Sequence, residues 1–99
     1  MFYNFTPVQS AAVTMTGSSV STTLSAAGAA APSMYIYNSS STNKMFVKWG
    51  SGSATATSDG TSMCVPPNGF YVVGKGLADT IAIIGTNADV AYFSVGHGG

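Results

Sequence analysis

Glycine or proline interrupts this chain at positions 7, 17, 28, 32, 50, 52, 60, 66, 67, 69, 74, 76, 85, 96, 98 and 99. Proline lacks a backbone donor, and glycine costs a helix interior roughly 1 kcal/mol against alanine. No long amphipathic helix fits between breakers at that spacing. Short strands do.

Eight runs have strand character. They are Val8 to Met15, Val20 to Leu24, Met34 to Tyr37, Lys44 to Trp49, Met63 to Val65, Phe70 to Val73, Thr80 to Ile84 and Asp89 to Val95. β-Branched and aromatic side chains dominate the better ones, as a pleated, half-buried surface prefers. Lys44 to Trp49 alternates, with Lys44, Phe46 and Lys48 on one face and Met45, Val47 and Trp49 on the other. A period of two forces those sets apart, so the apolar set is expected inside. The spacing predicts an all-β fold: one small antiparallel β-sandwich or barrel-like domain of about eight short strands. Asn38 to Asn43 and Gly85 to Asp89 read as hairpin loops, because Asn, Asp, Ser and Gly bond to their own backbone or tolerate positive φ. Ser25 to Ala31 reads as a loop, being short and broken by Gly28.

Residues 8–99 form the predicted sandwich and residues 1–7 an N-terminal arm. Phe2, Tyr3 and Phe5 crowd that arm, and Pro7 fixes its exit angle. Three aromatic rings on a free tail make little physical sense, so the arm is expected to dock on its own sheet or on a neighbour. The remaining aromatics are expected to fill the core.

Charge is nearly absent. Three Lys and three Asp give zero formal net charge, and 25 Ser and Thr occupy the positions charges usually hold. Neutrality favours association. The strands Phe70 to Val73, Ile81 to Ile84 and Asp89 to Val95 are apolar on both faces. A lone two-layer sandwich should show polar outer faces, so the second face is expected to be covered by another subunit. A homo-oligomer, trimer or dimer, follows. Its expected interface residues are Phe2, Tyr3 and Phe5 of the arm and Tyr71 and Tyr92 of the two-faced strands.

Three lysines cannot supply the cation density that counterion displacement on nucleic acid needs. No apolar run approaches the ~20 residues of a membrane span, and the N-terminus lacks signal-peptide character. The expected partners therefore include no nucleic acid and no membrane, and the chain reads as complete, unprocessed and made in a cytosol. His97, the only imidazole, sits near the chain end, where it makes a poor general base. Asp59, Asp79 and Asp89 stand in loop-like settings where Asp is ordinary. One His and one Cys at 33 positions' separation have no metal-ligand spacing, and Cys64 reads as a small core hydrophobe. No catalytic, cofactor-binding or metal-ligating residue is expected, and the chain reads as not an enzyme.

The segments Tyr35-Ile-Tyr-Asn38, Val47-Lys-Trp-Gly50, Thr55-Ala-Thr57, Val65-Pro-Pro-Asn-Gly69, Ile81-Ala-Ile-Ile-Gly85 and Val90-Ala-Tyr-Phe-Ser-Val-Gly-His-Gly98 together resemble small all-β virion proteins of tailed bacteriophages. The resemblance implies a head decoration (cement) protein or a small adaptor-type virion component, partnered by a major capsid protein, on the capsid surface of a virion and synthesised in host cytoplasm. The alternative is a tail-fibre or carbohydrate-binding β-sandwich module, which needs Trp49 or a tyrosine pair exposed as a flat platform.

Overall fold

Alternation of side chains across each strand divides the molecule into an inside and an outside. In the computed structural model, which describes residues 5–98, the strands are β1 (Phe5–Thr14), β2 (Val20–Thr23), β3 (Ser33–Asn38), β4 (Met45–Gly50), β5 (Met63–Val65), β6 (Phe70–Gly74), β7 (Thr80–Ile84) and β8 (Val90–Gly98). They form two four-stranded antiparallel sheets. Sheet A runs β1-β8-β3-β6 and sheet B runs β2-β7-β4-β5. The fold is all-β and sandwich-like, as the breaker spacing requires. This strand order is that of an eight-stranded jelly roll.

Only β4 and β5 are both consecutive and paired. Every other link crosses from one sheet to the other. Asn38 to Asn43 and Gly85 to Asp89 are therefore arches between layers and not the expected hairpin loops. The turn chemistry is the same in both cases, since Ser40 Oγ accepts from the Thr42 and Asn43 amides. What differs is where the next strand finds its partner. Ser25 to Ala31 also departs from expectation. Ala26–Ala30 form one helix, α1, whose N-cap Ser25 accepts from the Gly28 amide. Five residues cannot hold a helix alone. Gln9 Oε1 accepts from the Ser25 amide and hydroxyl, and the Lys75 ammonium bonds to the Ala29 carbonyl. Both ends are thus tied to other elements.

The core lies between the sheets. β3 contributes Met34 and Ile36, β8 Ala91, Phe93 and Val95, β4 Met45 and Val47, and β7 Ile81 and Ile83, all essentially inaccessible. Lys44 and Lys48 are exposed, as alternation in this strand dictates. Trp49 packs against the core but stays half-buried. Phe93 is the only fully buried aromatic among the described residues. The expectation that aromatics fill the core is thus corrected: Met, Ile, Val and Ala do. Cys64 is likewise exposed and not a core residue, because Met63 and Val65 on either side pair with inward Val47 and Met45.

β1 begins at Phe5. Phe5, Thr6 and Pro7 pair with Gly98, His97 and Gly96 of β8, so this part of the expected arm is sheet. Phe2 and Tyr3 lie outside the described residues. The register slips between Pro7 and Gln9, leaving Val8 as a bulge. The backbone of β1 lies hard against Gly96, where a side chain would strike the Thr6 carbonyl.

The strand β7, apolar on both faces, has its outer face covered from within. Ser21, beside Ala82 in register, donates to the Ala54 carbonyl at 2.9 Å, and Ser19 accepts from the Ala56 amide. The β4–β5 connection thereby lies over the outside of sheet B, and Ala82 is fully buried. No second subunit is needed there.

Candidate functional site

Among the described residues, no connection is hydrogen-bonded across the outside of sheet A in this way. Register places Ala12, Tyr92, Tyr37 and Phe70 in one row across β1, β8, β3 and β6. The next row is Ser10, Ser94, Tyr35 and Val72. Partners in register share a face, and inward Met34, Ile36, Phe93 and Val95 alternate with these residues. Both rows therefore point outward. Tyr92 is 47% exposed and Phe70 44%, while Tyr35 and Tyr37 are half-buried by their neighbours. The Tyr37 and Tyr92 rings lie 6.4 Å apart with planes 25° from parallel, and Tyr35 and Phe70 are 5.5 Å apart at 32°. Such pairs hold each other upright and contribute roughly 0.5–1.5 kcal/mol beyond burial. Ser10 and Ser94 bond to each other through their hydroxyls at 2.7 Å, which leaves a neutral margin beside the rings.

No Lys, Arg, Asp or Glu occurs anywhere in the four strands of sheet A. All six charged side chains belong to sheet B or to the connections. Four of them serve local structure there. Asp59 accepts from Thr57 and from both the hydroxyl and the amide of Thr61, which hold its carboxyl down at about 2. Asp79 accepts from the Gly52 amide and the Thr80 hydroxyl, and these lower it from the usual carboxylate value. Asp89 accepts from Asn43 at 3.1 Å. Burial pushes the Lys75 ammonium below the usual lysine value, against the pull of Asp79, and it bonds to the carbonyls of Ala29, Gly76 and Ala78. Among the described residues no group of three or more His, Cys, Asp or Glu could hold a metal ion. A surface pocket of about 140 Å³, lined by Val47, Lys48, Trp49, Thr61 and Met63, falls below the ~300 Å³ lower end of small-molecule sites.

The interface residues expected from sequence are dispersed. Tyr92 stands in the middle of the aromatic face. Tyr71 pairs with inward Ile36, so its 42% exposure belongs to the flank of the sheet. Phe5, paired with Gly98, sits at the far end of β8 from Tyr92. Sequence reasoning missed Tyr35 and Tyr37. Their signal was the alternation Met34-Tyr-Ile-Tyr-Asn38, in which the two hydroxyl-bearing rings share one parity.

No family model matches the chain, and no curated protein does. Solved structures share its fold. A chain from Bacillus endospore appendages, described as a novel family of disulfide-linked pili, superposes with a TM-score of 0.58 at 16% identity, over 95% of this chain and 91% of that one. A crystal structure of PirA gives 0.51 at 15% identity, over 87% and 92%. Identities this low bear on the fold alone. The expectation of a tailed-phage decoration protein is corrected here. The two neighbours named are not phage head proteins, and nothing supports a major capsid protein partner or a place on a virion capsid. The physical reason is plain. The segments that carried the resemblance are strand alternations and Pro/Gly turns, which specify a small sandwich and not what it assembles with.

Proposed function

We propose that this chain is a non-enzymatic structural subunit that works by associating with copies of itself. The observation that carries this reading is the neutral, aromatic outer face of sheet A, on a chain whose net charge is zero. Such a surface gains by leaving water and loses little ion solvation on contact. The fold it shares with an endospore appendage chain is in keeping with that role. The appendage proteins are described as disulfide-linked. These 99 residues hold a single cysteine, Cys64, which can bond to one neighbour only, so a continuous polymer of them would rest on non-covalent contact. The carbohydrate-binding alternative stands second. Tyr37 and Tyr92 supply adjacent rings, but no outward residue of sheet A carries a charge or an amide to bond sugar hydroxyls.

Sedimentation equilibrium over a wide concentration range tests the reading. Mass rising above the 10.0 kDa monomer with concentration, and unaltered by molar salt, is the expected result. A monomer at every concentration would overturn it.

A further inference from the structure

Resting on the self-association just argued, we infer that two copies pair face to face across the outside of sheet A, about a two-fold axis, with Tyr35, Tyr37 and Tyr92 at the centre. A two-fold contact brings a surface against itself. Any charged group near the axis then meets its own like charge, which is costly. Sheet A is the layer that escapes that conflict, since its four strands hold no Lys, Arg, Asp or Glu. Sheet B does not. It carries Lys48 within β4, and its outer face is already covered by the β4–β5 connection.

The strands of sheet A, of 10, 9, 6 and 5 residues, at ~3.3 Å per residue and ~4.8 Å between strands, offer roughly 500 Å² per copy, a small contact beside the ~800 Å² share of a standard interface. Pairing along strand edges is less favoured. β1 has Pro7 and the Val8 bulge and binds α1 through Gln9, and the other three edges, β6, β2 and β5, span only 5, 4 and 3 residues. Bulges, proline and short edges all discourage strand addition. A two-fold pair uses up its surface, so this contact closes at a dimer. Any larger assembly needs a second surface.

The test compares sedimentation of wild type with Tyr92→Lys, Ala12→Lys and, on sheet B, Thr23→Lys. Wild type and Thr23→Lys should reach dimer mass with equal dissociation constants. Tyr92→Lys and Ala12→Lys should each weaken pairing at least ~100-fold. An equimolar mixture of Tyr92→Lys and Tyr92→Asp should pair again, which neither variant does alone. Circular dichroism confirms folding, and if Tyr92→Lys fails to fold, Ala12→Lys decides. Association of wild type that neither lysine weakens would refute the face while leaving the proposed function standing. A wild type that stays monomeric would refute both. Monomeric wild type retained on insoluble β-glucan, and released by Tyr92→Lys, would show that the face is a sugar platform and not a dimer contact.

Discussion

Asn38 is fully buried at the end of β3, and replacing it with alanine should be among the most damaging changes available. Its amide nitrogen donates to the carbonyls of Asn43 at 2.8 Å and of Val65 and Pro66 at 3.2 Å each. Its oxygen accepts from the Ser40 amide at 3.1 Å. One side chain thus ties the β3–β4 arch to the end of β5. Each bond is worth about 0.5–1.5 kcal/mol net, and each buried group left without a partner costs about 1–3 kcal/mol more. With the Val65 carbonyl and the Ser40 amide stranded, Asn38→Ala should cost about 3–5 kcal/mol. That is a large share of the ~5–15 kcal/mol a domain holds, and a fall in Tm of about 15–30 °C. Urea and thermal unfolding followed by circular dichroism measure it. Asn38→Asp adds a signature. A carboxylate facing three carbonyls has its pKa raised in the fold, so that variant should be more stable at pH 4 than at pH 7. A cost below about 1 kcal/mol for Asn38→Ala would show that backbone pairing alone holds the arch and that this reasoning is wrong.

Phe93→Ala should cost about 3–5 kcal/mol, and Trp49→Ala clearly less, because Phe93 is enclosed between the sheets and Trp49 is half open; equal losses in urea titrations would contradict the assigned burial. Gly96→Ala should cost about 1–3 kcal/mol and selectively speed hydrogen exchange at the β1 amides near Thr6, since backbone cannot yield as a side chain does. Asp59 and Asp79 are both held below the ordinary carboxylate value, Asp59 at about 2, so the stability they add is present above pH ~4 and drains as pH falls through each group's lowered value. Asp79→Asn should flatten part of that acid limb in a Tm–pH profile. Lys75 has the opposite sign: its lowered value makes stability rise as pH climbs from that value toward 10.5, and Lys75→Met should remove the rise.

The orientation of β4 was readable because Lys44 and Lys48 mark one parity as outward. In β3 both parities are apolar or aromatic, and nothing local says whether Met34 and Ile36 or Tyr35 and Tyr37 face in. That choice is made by β8, where Phe93 and Val95 alternate with Tyr92 and Ser94 and must register with β3. The tyrosine face was hidden for the same reason. The Asx bond from Asn38 to Ser40 is local and was expected from the turn chemistry, but its three carbonyl partners come from residues 43, 65 and 66, which no short-range rule brings together. The cover over β7 was missed because the Ser/Thr/Gly connection at 51–62 looks like solvent-exposed loop. Its backbone finds Ser19 and Ser21, as polar segments lying over a sheet must.

Pairing of β1 with β8 also dictates the order in which the molecule can be made. Ser10 meets Ser94, 84 residues later in the chain. At ~5–20 residues per second of synthesis, the first strand waits roughly 4–17 seconds for its only sheet neighbour. Sheet A cannot close before β8 has been made. During that interval β1 offers a growing chain ten residues without a single charge. Its proline, lacking a backbone donor, then acts before the fold exists, discouraging a waiting strand from finding the wrong one.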